Sequence, residues 1–339
     1  MLMSMDFASS LSEWYREHRR ILPWREDPTP YHVYLSEIML QQTRVEQAHS
    51  YYLRFLDAYP TLSDLAKADL EDVYKKWEGL GYYSRARNLH LAAKEVVERF
   101  GGELPRSKKE LLSLPGIGEY TASAIMAIAY GEKEVAIDGN LLRVYARYRA
   151  LALNPLEEKD KKTAKEGLLA LLGPDPSVFN QALMDLGELV CLPNGSPRCG
   201  DCPFKGTCLA HREEKETDYP LKKAKKERKT EKLTVLLIVH EGKILLQKRG
   251  KGLLSGLYGL PTIEGHIKEE NIKSVGDLQG FSIQNIIDLG KAKHVFTHRI
   301  WDMKGYRIEV AEEMEGIWAD QEELKTRYAL PTAFSYFLN

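Results

Sequence analysis

The chain has 339 residues, and its 48 lysines and arginines against 49 aspartates and glutamates give a formal net charge of −1. This length predicts two or three domains with ordinary cores and excludes a small disulfide-dependent scaffold. We find no apolar run near the roughly 20 residues that span a bilayer and no N-terminal signal pattern, so we expect a cytoplasmic protein.

Charge is unevenly distributed along the chain. Basic residues crowd 221–232 (LKKAKKERKTEK), whereas acids dominate 310–324 (VAEEMEGIWADQEEL). A net charge near zero argues against a nucleic-acid partner, because phosphate binding needs lysine and arginine, but a total hides local patches. A run of like charges is most often a solvated face or linker, and a linker is the interpretation we adopt for the basic stretch.

Apolar residues recur at helical spacing from Phe7 to about His211, which predicts an all-α region. Prolines and glycines fall between the periodic segments, where helices would end. The predicted helices lie within 11–22, 31–45, 48–59, 70–80, 85–100, 108–114, 120–131 and 140–152.

The pattern changes to β character after the basic stretch. Residues 232–249 (KLTVLLIVHEGKILLQKR) predict two strands about a turn at Glu241 and Gly242, and 293–320 alternates like a second hairpin. Short helices are expected around 269–278 and 320–328. A new domain is therefore predicted to begin near Leu233.

All four cysteines of the chain lie within eighteen consecutive positions. This clustering favours a metal site over disulfides in a cytoplasmic protein. Four thiolates suit either a structural Zn²⁺ or a [4Fe–4S] cluster, and spacing alone does not choose between them. The predicted ligands are Cys191, Cys199, Cys202 and Cys208.

Residues 114–118 (LPGIG) separate two predicted helices and indicate a tight hairpin. Gly116 and Gly118 would permit positive φ and leave backbone N–H groups exposed at the start of the next helix, where the helix dipole also favours a phosphate-sized anion. A plain helix–helix connection is the alternative interpretation.

This hairpin, an aspartate twenty positions after Gly118 and the downstream cysteines together resemble the helix-hairpin-helix DNA glycosylase superfamily. Within it, five motifs resemble the MutY-type adenine DNA glycosylases, and the resemblance covers nearly the whole chain. The motifs lie at 22–45, 79–89, 114–125, 136–144 and 179–191.

The resemblance implies a multi-domain fold: an all-α helix-hairpin-helix glycosylase core, made of a six-helix barrel and a [4Fe–4S] domain, followed by an α+β Nudix-like (MutT-like) domain. The implied partner is duplex DNA with adenine opposite 8-oxoguanine or guanine, and we expect a monomer. The expected domains are 1–29 with 135–216 (iron–sulfur), 30–134 (six-helix barrel), 217–232 (basic linker) and 233–339 (8-oxoguanine recognition).

Glu37 and Asp138 match the chemistry that cleaves an N-glycosidic bond. The reaction needs an acid to protonate the leaving base and an anion near the sugar, where positive charge develops. Glu37 stands among apolar neighbours, which favours a raised pKa. Asp138 would by itself be interpreted as a helix N-cap; the resemblance assigns it to the oxocarbenium-like state. We include Asn140 among the expected catalytic residues.

Tyr120 lies two residues after the second hairpin glycine. The endonuclease III branch of the superfamily has a lysine at this position, whose amine attacks the sugar and leads to strand nicking. A tyrosine cannot form a Schiff base. Tyr120 therefore favours a monofunctional glycosylase that leaves an abasic site, whereas core packing is the alternative for this residue by itself.

The resemblance also implies DNA contacts. Gln42 and Tyr82 would insert into the duplex on the 8-oxoguanine side, although a solvated helix end and core packing are the respective alternatives. Arg25 and Gln181 would line the adenine pocket. The full set of expected contacts in this part of the chain is Arg25, Gln41, Gln42, Tyr82, Gly116, Gly118 and Gln181.

The expected 8-oxoguanine contacts in the C-terminal domain are Phe296, Thr297 and His298. Thr297 replaces the family's usual serine but keeps a hydroxyl, and Leu254 stands where tryptophan is common. No Nudix hydrolase metal box is present in the sequence, so we expect no pyrophosphatase activity.

The cysteine spacing also departs from the family. Seven residues separate the first two cysteines, followed by two and five, whereas six is usual at the first interval. We still expect [4Fe–4S].

Two alternatives remain open at this stage. One is an endonuclease III-like glycosylase and lyase, which Tyr120 and the appended β domain disfavour. The other is a catalytically silent iron–sulfur DNA-binding protein, which would not need Glu37 and Asp138 together.

Overall fold

The computed structural model describes residues 2–221, 227–250, 252–275, 278, 280–313 and 315–338, with side chains from Phe7 onward. Part of the expected basic linker, residues 222–226, lies outside the described residues. The chain divides into two compact units, Met1–Lys67 with Asn88–Ala224 and Ala68–Arg87 with Lys225–Asn339. Among the described helices, none is long and apolar enough to cross a membrane.

Helices dominate the chain up to Arg212, as the periodicity predicts. They are α1 (Leu2–His18), α2 (Pro23–Glu26), α3 (Pro30–Leu40), α4 (Val45–Ala58), α5 (Leu62–Lys67), α6 (Leu70–Trp77), α7 (Ser84–Phe100), α8 (Lys108–Leu111), α9 (Glu119–Ala124), α10 (Gly139–Tyr148), α11 (Glu158–Leu169), α12 (Pro176–Leu189) and α13 (Leu209–Arg212).

Local capping explains several helix starts. The Thr29 side chain accepts a hydrogen bond from the His32 N–H, and Pro30 occupies the first turn of α3. Asp175 caps α12 in the same way, again followed by a proline. The apolar segment after the hairpin departs from a simple helix, because α9 continues as a π-helical turn over Ile125–Ala129.

The core of the first unit joins α1 to the later helices. Phe7 stacks on Phe204 with ring centroids 4.1 Å apart and meets Tyr148 edge-on at 4.8 Å. Leu11 and Leu183 are fully buried in the same cluster. The N-terminal helix, α10, α12 and the cysteine segment therefore share one apolar core.

The second unit contains a mixed sheet in the order β3-β2-β1-β6-β5, with β4 paired to β1 and β7 paired to β2. The strands are β1 (Lys229–His240), β2 (Lys243–Lys248), β3 (Tyr258–Gly259), β4 (Thr262–Glu264), β5 (Ile283–Val295), β6 (Arg299–Val310) and β7 (Ile317–Ala319). Two short helices lie within the predicted ranges: α14 (Glu269–Ile272) and α15 (Gln321–Thr326).

The structure confirms both predicted hairpins. Strands β1 and β2 pair with His240 opposite Lys243 across the predicted turn. Strands β5 and β6 are antiparallel about residues 296–298, and β1 runs parallel to β6. Strand β5 begins ten residues earlier than the alternation at Lys293 indicated. Strand β1 already begins at Lys229, within the expected linker.

Ala68–Arg87 belongs to the second unit although the sequence places it among helices. Lys75 Nζ donates to the backbone oxygens of Leu324 and Tyr328 at 2.9 and 3.2 Å. The Leu330 N–H donates to the Glu78 carboxylate at 2.7 Å. These long-range contacts hold the segment that carries Tyr82.

Candidate active site

Glu37 lies on α3 with its side chain almost fully buried, at 6% exposure. Burial raises the pKa of Glu37 to about 7, and the nearby charge of Asp138 acts in the same direction. The hydrogen bond from Tyr120 and the charge of Arg25 oppose this rise. The carboxyl group is therefore substantially protonated near neutral pH, as the apolar sequence context predicts.

Tyr120 stands in the first turn of α9, directly after the hairpin. Its hydroxyl donates a hydrogen bond to Glu37 Oε2 at 2.6 Å. Gly116 has φ +77°, and a Cβ there would lie 2.7 Å from Asn88 Cβ, so this position requires glycine. Gly118 is extended, with φ −97°, so the positive φ expected of both glycines occurs at Gly116 only.

Asp138 is the N-cap of α10, and both of its carboxylate oxygens are occupied. Oδ1 accepts the Leu141 N–H at 2.7 Å, and Oδ2 accepts Nδ2 of Asn140 at 3.0 Å. Burial raises the pKa of Asp138, while these donors and the charge of Arg143 oppose the rise. The capping interpretation is thus correct, and it leaves the carboxylate held in one orientation.

The side chain of Asn140 is held in place by a hydrogen bond from Arg143. Arg143 Nη2 donates to Asn140 Oδ1 at 2.8 Å and to the Gly187 oxygen at 2.6 Å. Gly187 on α12 allows this close packing, because a Cβ there would lie 2.7 Å from Asn140 Cβ. Asn140 therefore points its amide at Asp138.

A cavity of about 690 Å³ adjoins these groups. Its volume is in the range of sites that enclose a small organic ligand. The sequence-predicted residues that line it are Arg25, Glu37, Gln42, Tyr120, Asp138, Asn140 and Gln181.

Arg25 and Gln181 lie in the cavity wall with partners of their own. Arg25 forms a bidentate salt bridge with Asp185, with Nη1 2.6 Å from Oδ2 and Nη2 3.0 Å from Oδ1. Gln181 Nε2 donates to Ser177 Oγ at 2.9 Å, and its Oε1 accepts from Tyr15 at 3.4 Å. Both side chains are thus preorganised.

Not every expected contact lines the cavity. Gln41, Gly116 and Gly118 lie outside its wall, and Gln41 donates to Thr121 Oγ1 at 3.4 Å. Arg20 and Glu188 line it but were missed in the sequence. The sequence signals for them were weak, because Arg20 lies two residues before the motif at 22–45 and Glu188 lies within the motif at 179–191.

The four cysteines are unpaired and line one pocket together with Arg147. Arg147 Nη1 donates to Cys191 Sγ at 3.3 Å, and the Phe204 N–H donates to Cys202 Sγ at 3.4 Å. Such donors stabilise negative charge on sulfur. Four cysteines that line one pocket, two of them with donors to their sulfur atoms, fit a metal–thiolate centre.

The other expected lesion contacts lie in the second unit. Tyr82 is 43% exposed with φ +50°, and its hydroxyl lies 2.5 Å from Thr297 Oγ1. Phe296 packs edge-on against Trp301 at 4.9 Å. Thr297 and His298 are exposed at the turn between β5 and β6. The structure thus brings Tyr82 and Thr297 together.

Comparisons with known proteins agree with this fold. Residues 35–169 match the HhH-GPD superfamily of base excision DNA repair proteins, and residues 234–339 match the NUDIX domain. The structure of a thermostable thymine-DNA glycosylase aligns with a TM-score of 0.57 at 29% identity, covering 62% of this chain and 97% of that one. An endonuclease III–DNA complex shares the fold, with a TM-score of 0.53 at 21% identity over 63% and 99% of the two chains.

The helical core and the hairpin thus define a helix-hairpin-helix glycosylase. The adenine DNA glycosylase of Rattus norvegicus is 33% identical over 86% of this chain and 68% of its own length. That of Buchnera aphidicola (subspecies Baizongia pistaciae) is 34% identical over 88% and 84%. This chain belongs to the adenine DNA glycosylase family; it is a base excision repair DNA glycosylase, and its partner is DNA.

Proposed function

We propose that the protein excises adenine paired with 8-oxoguanine or guanine and leaves an abasic site. The observation that carries the proposal is the constellation of Glu37, Tyr120, Asp138 and Asn140 at the wall of one cavity. It supplies a buried acid and a fixed carboxylate, which are the two groups that N-glycoside hydrolysis requires. The family names of the relatives give further support.

In this mechanism Glu37 protonates the leaving base. Its pKa of about 7 keeps a large protonated fraction at neutral pH, so it has a proton to give. The Tyr120 hydroxyl donates to Oε2 and thereby orients the carboxyl group. As the bond to the base breaks, electrons move toward the base and positive charge develops on the sugar.

Asp138 stabilises that positive charge. Its two hydrogen bonds and the nearby Arg143 favour the ionised form against the effect of burial. Because Asn140 and the Leu141 N–H hold the carboxylate, little reorganisation is needed as the charge appears. A water then bonds to the sugar carbon and gives its proton to the Glu37 carboxylate, which restores the acid. Tyr120 offers no amine for strand cleavage.

Residues 1–29 with 135–216 are proposed to form the domain that holds a [4Fe–4S] cluster, beside a barrel at 30–134. The ligands are Cys191, Cys199, Cys202 and Cys208, whose thiols line one pocket. When bound, the cluster supplies four Fe–thiolate bonds that tie this segment together. Arg147 helps to balance the charge on Cys191. Visible absorption and iron analysis distinguish this cluster from Zn²⁺.

Recognition of 8-oxoguanine is proposed to involve the turn at Phe296, Thr297 and His298 together with Tyr82. The Thr297 and Tyr82 hydroxyls adjoin on an exposed surface and offer hydrogen-bonding groups to an oxidised base. The recognition domain is proposed to span 233–339 after a basic linker at 217–232, with the first strand extending back into that linker to Lys229. The protein is expected to act as a monomer.

The test uses end-labelled duplexes with adenine opposite 8-oxoguanine, guanine or thymine, resolved on denaturing gels with and without hot alkali. Cleavage at adenine only after alkali, strongest opposite 8-oxoguanine, is the expected result. Nicking without alkali would contradict a monofunctional enzyme. Binding without any excision would contradict the catalytic assignment.

A further inference from the structure

Four charged side chains form a bridged cluster next to the candidate catalytic residues: Lys108, Glu119, Glu134 and Lys165, here called the charge cluster. Lys165 Nζ lies 2.8 Å from a carboxylate oxygen of each glutamate. Lys108 Nζ lies 2.6 Å from Glu119 and 3.0 Å from Glu134. Each lysine therefore joins both glutamates.

The cluster is shielded enough to be stronger than an ordinary surface ion pair. The side chains of Lys108, Glu134 and Lys165 are 23, 22 and 19% exposed, whereas Glu119 is 62% exposed. Burial would raise the pKa of Glu134, but the two lysines hold it below its usual value. Networks of this kind retain more of their Coulomb energy than exposed pairs.

Each glutamate is attached to a catalytic segment. Glu119 immediately precedes Tyr120, and Glu134 begins the short segment that ends at Asp138. The buried side chain of Asn180 holds the backbone of the same segment. It accepts a hydrogen bond from the Ala136 N–H at 2.8 Å and donates one to the Glu134 backbone oxygen at 2.9 Å. The charge cluster thus connects the two backbone segments that carry Tyr120 and Asp138.

Packing on this side of the site is incomplete, although Ser123 Oγ donates directly to Glu134 Oε2 at 3.2 Å. A second cavity, of about 520 Å³, is lined by Tyr120, Ser123, Asp138 and Lys165 among others. Where a gap separates two segments, their relative position depends on the groups that bridge it. Lys165 also donates to Ser123 Oγ at 3.2 Å, so it contacts α9 at two points.

We propose that the charge cluster sets the spacing between Tyr120 and Asp138 required for base excision, with Lys165 as the principal positioning residue. This inference rests on the proposed function. It predicts that loss of the bridge slows excision while leaving the DNA-binding surface intact.

The experiment compares Lys165→Met with Lys162→Met in the full-length, metal-loaded protein. Lys162 is on the same helix, but its side chain is 77% exposed and its partner Glu166 is 3.8 Å away. Single-turnover excision from an 8-oxoguanine:A duplex, normalised to the active fraction, is expected to slow by about tenfold or more in Lys165→Met. Duplex affinity should change by less than about threefold, and Lys162→Met should match wild type.

Two further readouts separate positioning from mere stability. Lys165→Arg keeps the charge and is expected to restore most of the rate. The pKa of Glu37 can be followed by NMR of its carboxyl carbon. In Lys165→Met this pKa should rise, because the hydrogen bond from Tyr120 weakens. Asp138 and Arg25 are the other groups that influence the Glu37 pKa. A wild-type rate per active site in Lys165→Met, whatever its thermal stability, would overturn the proposal.

The NMR readout also keeps this inference separate from the proposed function. If the wild-type protein excises no adenine, the proposed function fails, and the carboxyl titration still tests the cluster. An unchanged Glu37 pKa in Lys165→Met would then overturn it.

Discussion

Tyr120→Phe perturbs the protonation of Glu37 by removing one hydroxyl. The Tyr120 hydroxyl donates to Glu37 Oε2 at 2.6 Å and lowers the Glu37 pKa, which burial has raised to about 7. Only the protonated form can serve as the acid, so activity is expected to fall as pH rises through about 7. Removing a donor to the carboxylate destabilises the charged form, and the pKa must therefore rise further.

The magnitude follows from the strength of the bond. A hydrogen bond to a charged group contributes about 1.5–3 kcal/mol, and one pKa unit corresponds to about 1.4 kcal/mol. Tyr120→Phe is therefore expected to move the alkaline limb of the pH–rate profile upward by about one unit or more.

The assay measures single-turnover excision from an 8-oxoguanine:A duplex at subsaturating enzyme, from acid to alkaline pH, so that the free-enzyme pKa governs the profile. Tyr130→Phe is the control, because the Tyr130 hydroxyl donates to the Leu104 oxygen instead. An alkaline limb in Tyr120→Phe that stays in place, or moves to lower pH, would refute the assignment of Glu37 as the acid.

Three other substitutions test separate parts of the protein. Asp138→Asn should lower excision by about 10³-fold or more while duplex binding is largely kept, as a gel assay with parallel titration would measure. Thr297→Ala removes the hydroxyl beside Tyr82, and the preference for 8-oxoguanine:A over G:A should fall about fivefold. Gly187→Ala forces a Cβ within 2.7 Å of Asn140 and should lower the free energy of unfolding by about 1–3 kcal/mol in denaturant titrations.

Each of these has a control and a contradicting result. Near-normal turnover in Asp138→Asn would exclude its catalytic role. Thr297→Ser keeps the hydroxyl and should behave like wild type; an unchanged preference in the alanine variant would remove Thr297 from lesion recognition. Gly206→Ala meets no atom within 4 Å and serves as the control for Gly187. Equal stability of those two variants would contradict the packing argument.

Local features of this protein were predictable because short-range chemistry encodes them. The helical period, Pro30 after Thr29 and the glycine at 116 specify α3 and the hairpin before α9. The turn at Glu241 and Gly242 likewise specifies the first β-hairpin. The motifs on these elements were sufficient to indicate the glycosylase family and the principal candidate residues.

The detailed site depends on contacts that no local pattern records. Tyr120 is hydrogen-bonded to Glu37, although the two residues are 83 positions apart in the sequence. Arg25 is likewise paired with Asp185, 160 positions away. The assignment of Ala68–Arg87 to the second unit and the pairing of Tyr82 with Thr297, 215 positions away, are of the same kind. Sequence spacing gives the residue types but not which side chains meet after folding.

The sequence by itself therefore determined which groups the protein has for its chemistry and on which helices and strands they stand. The tertiary structure decided their protonation and orientation. The pKa of Glu37 illustrates the difference, because it reflects burial by distant parts of the chain together with the positions of Tyr120, Asp138 and Arg25. Desolvation and Coulomb energies depend on distances in space, and folding alone sets those distances.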